Sequence, residues 1–125
     1  MRKWSLGLFV IALVMGCSGN TKSSPVSGAV TMDGEPLANA MVSFQPIGKE
    51  LNSGPGSTGK TNDRGEYALE VVGGGNGAVE GLHKVMIRSG DAKVTIPAKY
   101  NVKTELRYEV KPGNNANVDF KLTSK

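Results

Sequence analysis

Residues 26–44 read VSGAVTMDGEPLANAMVSF, and the spacing of their apolar side chains decides the fold class. Val26, Val30 and Met32 share one parity; after the turn-forming Asp33-Gly34-Glu35-Pro36, so do Ala40, Val42 and Phe44. A period of two puts successive side chains on opposite faces of a strand, whereas a helix repeats every 3.6 residues or so. The same alternation runs through Tyr67, Leu69 and Val71, through Val85 and Ile87, through Leu106, Tyr108 and Val110, and through Val118, Phe120 and Leu122. Ser43, Glu66, Glu70, Glu109, Asp119 and Lys121 occupy intervening positions, as in strands with one face buried and one wet.

Asn62-Asp63-Arg64-Gly65-Glu66 and Lys111-Pro112-Gly113-Asn114-Asn115 are further turn sequences, because Asp and Asn tolerate turn geometry and Gly takes positive φ freely. A weaker strand at Gly59 to Asn62 brings the count to seven. The expectation is an all-β domain: a seven-stranded antiparallel β-sandwich with immunoglobulin-like strand spacing. Residues 26–123 suffice for one modest core and are too few for two domains. If each connection reverses direction, the segment before Val26, the loops 46–57 and 72–81 and the turn 111–116 gather at one end. The turns at Asp33 and Asp63 and the segment 89–104 gather at the other.

The chain starts Met1-Arg2-Lys3 and is apolar from Leu6 to Met15, a charged n-region followed by a short h-region. Ten apolar residues fall well short of the roughly 20 that span a bilayer. Leu13-Val14-Met15-Gly16-Cys17 resembles a lipobox, although Met15 is bulkier than the residue usual at that place. The resemblance implies a signal peptide over 1–16, cleavage after Gly16, and lipid on Cys17 that anchors the chain to a membrane. Cys17 is the only cysteine, so the domain has no internal disulfide to stand on. Residues 17–25 read as the lipidated cysteine and a flexible tether, small and polar. Ser18, in place of Asp, resembles outer-membrane sorting in diderm bacteria, so the expected location is the cell envelope, at the outer membrane. Removing 1–16 takes two of the 15 basic side chains, which leaves 13 against 11 acidic ones and a formal charge of +2 rather than +4. The remaining basic residues are scattered, unlike the stripe that nucleic acid requires, and no nucleic-acid partner is expected.

Val26 to Phe44, followed by Gly59-Lys60-Thr61-Asn62-Asp63-Arg64-Gly65-Glu66-Tyr67, is similar to the carboxypeptidase regulatory-like domain, a transthyretin-like (prealbumin-like) β-sandwich. The shared pattern is a strand, a DG-x-P-L turn, an A-x-V-x-F strand and T-D-x-x-G-x-Y/F. Gly81-Leu82-His83-Lys84-Val85-Met86-Ile87 resembles that family's G-x-Y-x-V-x-I strand, and Ile96-Pro97-Ala98-Lys99-Tyr100-Asn101 resembles a segment of small bacterial envelope lipoproteins. The resemblance covers nearly all of 26–123 and implies a non-catalytic module.

His83, the only histidine, shares parity with Val85 and Ile87 and therefore points inward as an aromatic substitute rather than a metal ligand. Asp33, Glu35, Asp63 and Glu66 gather at one end but lack the D-x-D-x-D-G spacing of a calcium loop. No metal and no cofactor is expected. Residues 54–61, GPGSTGKT, match a phosphate loop in letters, but a turn into a strand follows them rather than the helix whose N-terminus would hold the anion. Lys93, Lys99, Tyr100, Asn101 and Lys103 form the candidate partner surface: Tyr and Asn suit sugar or peptide contacts, and lysines suit anionic polymers. The alternative for this segment is a loop crossing between sheets, plugged by Ile96 and Tyr100. The sequence contains no nucleophile, base and orienting group readable as a triad. The expected function is that of an envelope-tethered interaction module for a glycan, peptidoglycan or another envelope protein. The alternatives are a transthyretin-like hydrolase or a carrier of a small apolar ligand.

Overall fold

The computed structural model describes residues 22–48, 55–91 and 93–125. The apolar leader, Gly16, Cys17 and residues 18–21 lie outside the described residues, as do 49–54 and Ala92. In chain order the strands are β1 (Ser23–Ser24), β2 (Ser27–Met32), β3 (Glu35–Pro36), β4 (Ala40–Pro46), β5 (Ser57–Lys60), β6 (Glu66–Ala68), β7 (Glu70–Val71), β8 (Ala78–Val79), β9 (Gly81–Ser89), β10 (Arg107–Val110) and β11 (Phe120–Leu122). A single 3-10 turn, Ala98–Tyr100, is the only helical element among the described residues.

These strands form an all-β sandwich. The larger sheet has the order β10-β9-β4-β5-β7; in the smaller, β2 is flanked by β11 on one side and by β3 and β6 on the other. Alternation sets the core as expected: Ala40, Val42 and Phe44 of β4 are buried while Met41 and Gln45 face solvent, and His83, Val85 and Ile87 of β9 are buried opposite them. Phe44 sits where the sheets meet, with the rings of His83, Tyr108 and Phe120 centred 5.5, 6.0 and 6.3 Å away. Phe120 continues the chain of rings to Tyr67 at 6.4 Å. Tilted and edge-on contacts at such separations add to the burial of large apolar area.

Asp33 and Gly34 both take positive φ, 54° and 86°, as a two-residue hairpin turn of type I′ requires, and this joins β2 to β3. The stretch 66–71 changes sheets: β6 pairs with β2, the chain bends at Leu69, and β7 pairs with β5. Gly59 permits the crossing, because a Cβ there would stand 2.5 Å from the Ala68 carbonyl oxygen.

Four details differ from the expectation. β11 pairs with β2 in parallel, since both strands start from the end where the turn 111–115 meets Pro25. The weak strand lies at Ser57–Lys60 rather than Gly59–Asn62: beyond Lys60, Thr61 keeps backbone bonds to Asn39 and Ala40 while its hydroxyl turns inward to bond Leu37 and Ala40, and Asn62 enters the turn to Glu66. Short strands β1, β3 and β8 add to the seven stretches expected. The domain also starts before Val26. Ser23 and Ser24, assigned to the tether, pair with Val79 and Ala78, and the buried Ser24 hydroxyl donates to Glu80 Oε2 at 2.8 Å. Their small polar side chains gave no periodic signal because backbone pairing holds them.

Phe44→Ala is expected to lower folding stability by about 3–5 kcal/mol through transfer loss and the residual cavity. Urea unfolding followed by tryptophan-independent far-UV circular dichroism measures this; a loss below 1 kcal/mol or so would mean that the ring cluster is not the centre of the core.

Candidate functional site

The expected partner surface is assembled only in part. The 3-10 turn brings Lys99 and Tyr100 together, with Lys99 Nζ 5.3 Å from the Tyr100 ring centre. Both engage the C-terminal segment: Lys99 Nζ donates to the Lys125 carbonyl at 2.6 Å, and the Tyr100 hydroxyl accepts from Thr123 N–H at 3.0 Å. Hydrogen bonds to Thr123 hold the Tyr100 phenol below its ordinary range. Asn101 works inward rather than outward. Its Nδ2 donates to the carbonyls of Ile87 at 3.1 Å and Pro97 at 3.3 Å, clamping the loop to β9. Lys103 is exposed just after the turn, and Lys93 stands at the far start of the loop, where its N–H donates to Asp91 Oδ1. Ile96 is buried and Tyr100 packs on the core, so the crossing-loop alternative describes most of this segment.

A different surface has the shape of a site. Over the outer face of β2 and β6 runs an open groove of 710 Å³. Its floor is small: Ser27 and Ala29, which alternate with the inward Val26 and Val30, and Ala68 beside them. Lys60 brings a donor from the end of β5, Asn62 lies beside it with its amide bonded within its own turn to Arg64 and Glu66, and Asn117 and Asp119 face the groove from the approach to β11. Asp119 Oδ1 accepts from Ala29 N–H at 2.9 Å, and Glu66 is paired with Arg64 at 3.4 Å with both side chains solvent-exposed. Donors and acceptors thus line a trough open to water, which suits hydrogen bonding to an extended polar ligand. The sequence offered little sign of this groove: its signal is the run of small outward residues Ser27, Ala29, Ala68 and Ala116, which belongs to no motif.

The remaining candidates resolve into structural roles. The turns at Asp33 and Gly65 do meet, since a Cβ on Gly65 would lie 3.3 Å from Pro36 Cα. Their carboxylates do not converge, and among the described residues no group of three or more His, Cys, Asp or Glu could hold a metal ion. Asp33 is instead committed to Ser124, whose hydroxyl and N–H donate at 2.7 and 3.0 Å and lower its pKa. Lys60 ends a strand, and the Thr61 hydroxyl donates to the Leu37 carbonyl at 2.6 Å while accepting from Ala40 N–H at 2.8 Å. No helix follows the phosphate-loop letters.

His83 is fully buried, facing Phe44 and lying across from Tyr108 in β10. Its Nδ1 stands 2.9 Å from the Gly81 carbonyl, which places the proton on Nδ1, while Nε2 has no partner. Burial lowers the imidazole pKa, and the Gly81 bond opposes this only in part. The folded pKa therefore lies below the unfolded value of about 6.5. As pH falls through 6.5 or so the unfolded chain takes up a proton that the folded chain resists, so stability is lost on acidification. His83→Phe is expected to flatten that loss between about pH 7 and the folded pKa, read as urea midpoints across the range; an unchanged slope in the variant would assign it to other groups. No protein-family model, no curated protein and no solved structure matches this chain.

Proposed function

We propose that the chain is an envelope lipoprotein, cleaved after Gly16 and acylated on Cys17, whose sandwich is a non-catalytic binding module akin to the carboxypeptidase regulatory-like domain. Its ligand is a glycan, peptidoglycan or another envelope protein, and Ser18 directs the protein to the outer membrane. Leu13 to Cys17 supports the anchor: a small residue precedes the lone cysteine at the end of a charged and then apolar leader. No helix among the described residues is long and apolar enough to cross a membrane.

The observation that carries the binding half is the groove over β2 and β6, where Lys60, Asn62, Asn117 and Asp119 surround a floor of small residues. Polymer chains of sugar or peptide present alternating donors and acceptors, and such a trough meets them without a deep pocket. Lys99 and Lys103 remain exposed beyond the 3-10 turn as a secondary contact.

Two measurements test this. Intact-mass analysis of native protein is expected to show an acylated Cys17, and Cys17→Ser is expected to release the chain from membranes; an unacylated terminus on soluble protein would refute the anchor. Ala68→Trp fills the groove floor from an exposed position. It is expected to weaken capture by peptidoglycan sacculi or envelope extracts at least tenfold, about 1.4 kcal/mol, and capture unaffected by this substitution would place binding elsewhere.

A further inference from the structure

The larger sheet exposes apolar side chains at the end where the tether enters. Ile47, Leu82 and Val72 are 40, 46 and 60 % exposed. They lie along one rim. Ile47 N–H donates to the Leu82 carbonyl at 2.9 Å, joining the end of β4 to the start of β9, and Val72 N–H donates to the Gly56 carbonyl at 2.8 Å, beside the start of β5. Three exposed apolar side chains along one rim give that edge an apolar character that a covering surface can use.

Next to this rim, Lys84 and Arg107 stand directly opposite one another across β9 and β10. Both point outward, since Lys84 alternates with buried His83 and Val85, and Arg107 with the core-packed Leu106 and Tyr108. Like charges facing each other across an antiparallel pair are destabilising. Among the described residues the one ion pair is Arg64–Glu66, so neither cation has a carboxylate of those residues within 4.0 Å. An anionic group lying over both removes their repulsion.

The tether says what is near. β1 fixes Ser23 against Val79 at this same end, and from Ser23 back to Cys17 the chain takes six Cα steps, at most about 21 Å. Acyl chains on Cys17 keep a bilayer surface within that distance of the rim.

We propose that Val72, Ile47 and Leu82, with Lys84 and Arg107 beside them, dock on the anionic phospholipid surface to which Cys17 is anchored. The proposal rests on the lipoprotein reading above. The apolar side chains enter the interfacial region, and the two cations lie over headgroup phosphates. Glu109, across from Leu82, opposes the contact.

The acylated mature chain in phosphatidylcholine vesicles, with and without phosphatidylglycerol, supplies the test. With Cys17 blocked by lipid, one introduced thiol takes a polarity-sensitive fluorophore selectively. Probes on Leu82→Cys and Val72→Cys are expected to shift to the blue and to be quenched by lipid-borne nitroxide, more so with phosphatidylglycerol. A probe on Val102→Cys, 72 % exposed in the distal segment, is expected to stay aqueous. Equal water exposure at all three sites, on protein that floats with the vesicles, overturns the docking and leaves the anchor standing; native protein found unacylated overturns both. In the unacylated Cys17→Ser chain, Lys84→Gln and Arg107→Gln are each expected to weaken binding to phosphatidylglycerol vesicles roughly five-fold, and Glu109→Gln to strengthen it. Affinities unchanged in all three variants would refute the electrostatic part.

Discussion

The smaller sheet depends on one hydrogen bond, from the buried Tyr67 hydroxyl to the Val118 carbonyl at 2.6 Å. Tyr67 lies directly across from Gly28, and a Cβ on Gly28 would stand 1.9 Å from the Val118 oxygen. Only glycine therefore lets the carbonyl come within reach of the phenol. Burial, with the nearby Asp119 charge adding to it, pushes the Tyr67 pKa well above its ordinary value, so the hydroxyl stays a donor. Three segments are joined at this point, β6 through Tyr67, β2 through Gly28 and the approach to β11 through Val118. The aromatic chain from Phe44 through Phe120 to Tyr67 then ties the smaller sheet to the larger.

The groove follows from the same constraint. With the Val118 carbonyl turned to Tyr67, the strand leaves regular pairing: Asn117 takes a φ of 60°, and Ala29 N–H is satisfied by the Asp119 carboxylate instead of a backbone carbonyl. A carboxylate accepting from backbone replaces one ladder bond with a charge-assisted one. It also leaves a polar wall beside a floor of Ser27, Ala29 and Ala68. A site made by such a departure from the ladder is hard to read in advance, because none of its residues is chemically unusual.

What alternates in the sequence was legible, and what depends on backbone pairing was not. Val26, Val30, Val42, Phe44, Val85 and Ile87 announce their burial by parity, and Asp33-Gly34 announces its turn by composition. Ser23 and Ser24 do not, because two residues of ladder have no period. Asn115 sits in a turn sequence, yet it is buried and works as a knot: its Nδ2 donates to the Lys111 carbonyl at 2.8 Å and to Pro25 at 3.2 Å, while its Oδ1 accepts from the Tyr108 hydroxyl at 3.0 Å. Of the expected partner surface, Asn101 failed as an outward contact because an amide serves equally well to bind a ligand or to satisfy loop carbonyls. Nothing in the residue type separates the two uses; only the proximity of Ile87 and Pro97 does.

The one imidazole is placed away from the groove. Proton transfer to a substrate needs a donor or acceptor within hydrogen-bond reach of it. His83 has Nδ1 committed to Gly81 and Nε2 enclosed by the core, beside Phe44 and between the sheets, whereas the groove lies on the far face of β2 and β6. Bringing the ring to a ligand there would require parting the sheets that Phe44 holds together. The groove itself is open to water, so charges along it are screened, and its groups are suited to recognising polar chains by many weak bonds. Affinity from such bonds is modest at any one site, and in the function proposed above a lipid on Cys17 would offset this by confining the domain to one surface.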